Sequence, residues 1–137
     1  MTQVSELAGN HTIRVQLAAA MAAAGTDDET VAFTAPFDCT ITAAKWTPGA
    51  AVTANGTNFS ILSLRNRGAA AAGTALPASR SYAATNSVAL VSESMTLSAT
   101  AADLAVAAGD VITVQRIHTA SGVVIPAGTV EISLKVR

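Results

Sequence analysis

The closing segment TVEISLKVR, Thr129 to Arg137, alternates without a break. Val130, Ile132, Leu134 and Val136 fall on one side, and Thr129, Glu131, Ser133, Lys135 and Arg137 on the other. A strict period of two sends alternate side chains to opposite faces of a strand, whereas a helix would scatter them around its circumference. The chain therefore has to supply a sheet with one buried and one solvated face.

Other segments add strands to it. HTIRVQL places Ile13, Val15 and Leu17 opposite Thr12, Arg14 and Gln16. TVAFTAP is a short strand stopped by Pro36, and FDCTITAAKWTPG is a longer one, with Phe37, Cys39 and Ile41 inward and Pro48-Gly49 closing it. FSILSLRN is apolar on both faces, Phe59 and Ile61 on one and Leu62 and Leu64 on the other, so it should be covered twice: by the core and by a second layer or a neighbouring subunit. RGAAAAGTALPASRS reads as a long surface loop or an irregular edge strand carrying Pro77, SVALV and SMTLSA as short strands, and VITVQRIH as a stronger one. Between the last two lies ATAADLAVAAGD, rich in helix-forming alanine and leucine. Its position before Gly109-Asp110 favours a turn or a single helical turn bridging two sheets.

About eight or nine short strands separated by Gly, Pro, Asn and Asp turns predict an all-β, single-domain β-sandwich, jelly-roll-like, in 137 residues. The expected division is an N-terminal arm over residues 1–28, containing one amphipathic strand and tethered by the alanine run LAAAMAAAG, and a sandwich body over residues 29–137. That run falls well short of the about twenty strongly apolar residues of a membrane span, and no export signal is visible. The membrane is excluded as a partner.

Charged residues make up 12% of the chain, about half of the ~25% usual in soluble domains. Thr, Ser, Ala and Gly must then cover much of the outside, and such a surface suits burial against other chains better than life as a free monomer. A formal net charge of −1, with no aromatic platform among Arg65, Arg67 and Arg80, excludes the footprint of nucleic-acid binding. Cys39 is the single cysteine and can form no internal disulfide.

Catalytic chemistry is poorly supplied. His11 and His118 lie far apart and read as strand-end polar residues, with no partners at metal-ligand spacing. Cys39 faces inward without a base. Asp27, Asp28 and Glu29 lack the spacing of a calcium loop and read as a solvated turn. Asp110 reads as a partner of local backbone amides. No phosphate-cradling glycine motif is present. The expectation is a non-enzyme with no catalytic residue, no cofactor and no metal. Trp46 is the odd residue: strict alternation puts it on the outer face, as a rim residue capping the sandwich, an interface anchor or a sugar-stacking platform.

Four stretches, APFDCTITAAKWTPGAAVT, LSLRNRGAAAAGT, MTLSATAADLAVAAGDVITV and GVVIPAGTVEISLKVR, together resemble small head decoration proteins, capsid-stabilising components of tailed bacteriophages, especially those infecting actinobacteria. They run from Ala35 to Arg137. One departure is Pro126-Ala127-Gly128, where the family pattern often carries a double glycine after proline. The resemblance implies a β-sandwich or jelly roll on the outer face of an icosahedral shell, often trimeric, clamping neighbouring major capsid protein subunits and assembled in a bacterial cytoplasm. The arm would then add its strand to a neighbour's sheet edge. The residues expected at interfaces with the capsid or sister subunits are Ile13, Arg14, Val15, Leu17, Trp46, Phe59 and Ile61. The alternative is a fibre or tail component in which Trp46 grips a carbohydrate receptor.

Overall fold

The computed structural model describes residues 9–137. In chain order they form β1 (Asn10–Leu17), β2 (Asp28–Thr34), β3 (Cys39–Pro48), β4 (Phe59–Asn66), β5 (Ala75–Ser81), β6 (Glu93–Ser94), β7 (Thr96–Leu97), one helical turn α1 (Ala101–Leu104), β8 (Ala105–Val106), β9 (Val111–Thr119) and β10 (Gly128–Val136). The first eight residues of the expected arm lie outside the described part.

Two antiparallel sheets face each other as a β-sandwich. The first runs β1-β10-β3-β6, with β8 also on β3, and the second runs β2-β9-β4-β5-β7. The alternating C-terminal segment is β10, at the centre of the first sheet between β1 and β3. Its Val130, Ile132 and Leu134 are buried against Leu62, Leu64, Ile112 and Val114 from the second sheet. The alanine-rich stretch resolves as expected into a single helical turn, α1, running directly into β8. Cys39 is fully buried, on the inward face where alternation placed it.

Three expectations are corrected. The first concerns the arm. β1 pairs with β10 of its own chain over its whole length, from Asn10↔Lys135 to Leu17↔Gly128. Ile13, Val15 and Leu17 therefore point into their own core, Val15 and Leu17 buried, and Arg14 points outward to Glu131 at 3.1 Å. Burying this apolar face inside the chain satisfies the same hydrophobic demand that an intermolecular contact would.

The alanine run is equally built in. Met21 is buried and exchanges backbone hydrogen bonds with Ile125. Arg116, 4% exposed, reaches across to pair with Asp28 and donates to the Ala19 carbonyl at 2.8 Å.

The second correction is local. SVALV is not a strand: beyond the bridge of Val52 with Ser87, the chain turns through Leu90 at φ 62°, and Val88, Leu90 and Val91 are exposed. The third concerns Trp46. Ser133 pairs with Ala43 but Leu134 pairs with Ile41, leaving Thr42 as an extra residue in β3. A bulge of one residue reverses the facing of everything beyond it. Cys39 and Ile41 face inward before it, and Ala44 and Trp46 face inward after it. Trp46 is fully buried.

Candidate functional site

Trp46 anchors a polar chain that runs from the core to the rim. Its indole Nε1–H donates to Tyr82 Oη at 2.8 Å. Tyr82 in turn hydrogen-bonds Ser87 Oγ at 2.9 Å, and Ser87 donates to Glu93 Oε1 at 2.7 Å. Arg80 closes the chain: Nε donates to Glu93 at 2.8 Å, Nη2 to Ser87 Oγ at 3.1 Å, and its guanidinium lies 4.3 Å from the centre of the Tyr82 ring. Each hydroxyl accepts and donates, and burial pushes the Tyr82 phenol above its ordinary value, so it stays protonated.

Gly128 completes the pocket. A Cβ there would stand 2.6 Å from the indole Cη2 and 2.4 Å from the Thr47 carbonyl, so only glycine lets the indole lie over β10. Trp46 thus presents no ring face to a sugar or a partner, and both functional roles expected of it are corrected by the bulge.

The nearest approach to a catalytic grouping is Asp27, His118 and Ser60. His118 Nδ1 lies 2.8 Å from Asp27 Oδ1, but Nε2 lies 2.7 Å from the Ala22 carbonyl oxygen. Ser60 is fully buried, donating to the Val123 carbonyl at 2.7 Å and accepting from the Val123 amide at 3.0 Å. The imidazole has no free nitrogen to serve as a base toward a hydroxyl. Asp110 holds the turn before β9, accepting from Asn66 Nδ2 and the Ala107 amide, each at 3.0 Å. Among the described residues no group of His, Cys, Asp and Glu is arranged to hold a metal ion.

The two outer faces differ. On the first sheet the outward positions carry Arg14, Glu131, Lys45 and Lys135, interleaved with threonines. On the second, the register lines up Phe59, Ile61, Ser63 and Arg65 of β4, Ile117, Gln115 and Thr113 of β9, and Ser81 and Ser79 of β5, of which Ser63, Gln115 and Thr113 are buried. Ile61 sits directly opposite Ile117, which is 38% exposed. Phe59 and Ile61 therefore lie where the doubly apolar pattern of β4 placed them, half-buried on the outer face.

Toward the β2 edge, Val31 is 64% exposed and lines a groove of about 650 Å³ with Val111 and Ala69 to Ala71. At its rim Arg67 forms a bidentate pair with Glu29, which also accepts from Thr113. Arg67 is the principal cause holding the Glu29 carboxyl down at about 2. The Glu29 charge is thereby neutralised within the face, while Arg65, on the same side of β4, donates to the Gly73 carbonyl at 3.0 Å.

No family model, curated protein or solved structure matches the chain.

Proposed function

We propose that the protein is a structural virion component that binds the outer surface of an icosahedral phage capsid and cements neighbouring major capsid subunits, acting as a homo-oligomer, with a trimer favoured. The observation that carries this reading is the outer face of the second sheet. Ile61 and Ile117 next to Phe59 toward one end, and the Val31 groove at the β2 edge toward the other, are apolar patches with Ser63 and Gln115 between them, on a face that carries few charges. Apolar patches set among polar groups are what stable protein contacts use. The resemblance over Ala35 to Arg137 supplies the partner class, and the low overall charge fits a chain with several buried faces.

Cementing needs no catalytic group: a protein that binds the assembled shell but not its separated subunits stabilises the shell by mass action. The carbohydrate alternative rested on Trp46, which is buried, and no other observation favours it.

The test is to place a charge on the apolar patch beside Phe59. Ile61→Lys and Ile117→Lys, with Lys45→Glu on the opposite sheet as control, are mixed with capsids lacking the protein and sedimented. The expected result is at least tenfold weaker capsid binding for the two isoleucine variants, with melting temperatures close to wild type, and full binding by K45E. Undiminished binding of both isoleucine variants would remove this face from the account.

A further inference from the structure

We propose that residues 18–27, the strap joining β1 to β2, form a pH-sensitive latch that His118 holds closed while its imidazole is doubly protonated. The strap crosses from one sheet to the other along the connection between β9 and β10. Met21 and Ile125 bridge it there, the Ala24 amide donates to the Ser121 carbonyl, and Arg116 donates to the Ala19 carbonyl. His118 makes the remaining contacts: Nδ1 and the backbone amide to Asp27 Oδ1, both at 2.8 Å, and Nε2 to the Ala22 carbonyl at 2.7 Å.

A carbonyl oxygen and a carboxylate can only accept. Both ring nitrogens must therefore carry hydrogen for both bonds to exist, which is the imidazolium form. A neutral ring donates once and turns a lone pair toward the other acceptor, so deprotonation exchanges an attraction for a repulsion. The ring has no room to find another partner. Its side chain is 8% exposed, and Gly122, at φ 65°, lies so close that a Cβ there would come within 2.2 Å of Cδ2.

The charged groups around the ring are few. Asp27 and Asp28 approach from the strap and the start of β2, and Arg116 approaches from β9, its charge matched by Asp28. The connection of residues 120–127 and the facing stretch of β4, residues 59–62, carry no titratable side chain. The directions agree with the geometry. The Ala22 carbonyl first, and Asp27 second, raise His118 above its ordinary 6.5. The His118 backbone amide first, and its ring second, lower Asp27 below 3.8.

A raised histidine stabilises fully below 6.5 and loses its contribution as pH climbs through the higher folded value. A lowered carboxyl contributes above 3.8 and loses it as pH falls through its folded value. The latch is closed between these limits and slackens as pH climbs through the raised folded value of His118, while the Met21–Ile125 bridge and Arg116 keep the opening local.

Hydrogen exchange of the intact protein at pH 5.5 and 8.5, corrected for the intrinsic pH dependence of exchange, reads this directly. Peptides covering residues 18–27 should lose protection on the order of threefold to tenfold at the higher pH, with β10 unchanged. His118→Gln should show the low protection at both values. If that variant does not fold, Asp27→Asn, at a half-exposed position, should flatten the same pH response. Equal protection of residues 18–27 at both pH values in the wild-type protein would overturn the proposal, as would an undiminished pH response in D27N.

Discussion

Replacing Tyr82 by phenylalanine removes one oxygen and leaves the Trp46 indole N–H inside the core with nothing to donate to. Ser87 keeps Glu93 and Arg80, so the loss falls mainly on the indole. An orphaned buried donor costs about 1–3 kcal/mol, and the complete burial of Trp46 puts Y82F near ~2 kcal/mol. W46F removes the donor itself. Tyr82 can still donate to Ser87, so the penalty there is the smaller ring in an unchanged cavity, again about 2 kcal/mol.

In the double variant no indole remains to be orphaned. Its cost should match W46F alone, giving a coupling equal to the whole Y82F loss, about 2 kcal/mol, between contacting residues. Urea unfolding followed by circular dichroism, since W46F removes the only tryptophan, measures all three variants. Each kcal/mol should also appear as roughly 3–5 °C in melting temperature for a domain of this size. Strictly additive losses, or a Y82F loss below ~0.5 kcal/mol, would refute the reasoning and return Trp46 to the surface.

Two further outcomes follow from the packing. Deleting residues 1–24 removes β1 with Val15, Leu17 and Met21, worth about 1.5–3 kcal/mol each in burial alone, against a typical total of about 5–15. The truncated chain should show no cooperative thermal transition, and one that melts within a few degrees of full length would show β1 to be an appendage. Glu29 is depressed to about 2 from 4.5, so its contribution is present above 4.5 and lost as pH falls toward 2. Stability measured across that window should decline more steeply in wild type than in Glu29→Gln, and parallel curves would remove the Arg67 pair as a source of stability.

What the sequence disclosed, and what it hid, follows from the range of each signal. Alternation is local, so β1, β9 and β10, the inward Cys39 and the two-sided β4 were legible from neighbouring residues. The helical turn at Ala101–Leu104 was legible because Gly109-Asp110 and the strand behind it leave little room for more. The bulge at Thr42 was not: ITAAK carries no glycine or proline to mark it, yet it turns Trp46 from the surface to the core.

The integration of the N-terminal segment was hidden for another reason. Arg116 and Asp28, or His118 and Asp27, are ordinary polar residues about ninety positions apart, and only the folded topology joins them. Read singly, His118 was a strand-end residue and Asp27 part of a solvated turn. The candidate interface was half visible. Phe59 and Ile61 declared themselves by being apolar on the wrong side of β4, whereas Ile117 and Val31 join them only through the register of β9 and β2.

Immunogold labelling of intact virus particles with antibody raised against this protein tests the functional account most directly. The account predicts gold distributed over the head, at many positions per particle. Gold confined to the tail tip, or particles left unlabelled while the protein remains in the lysate, would contradict it.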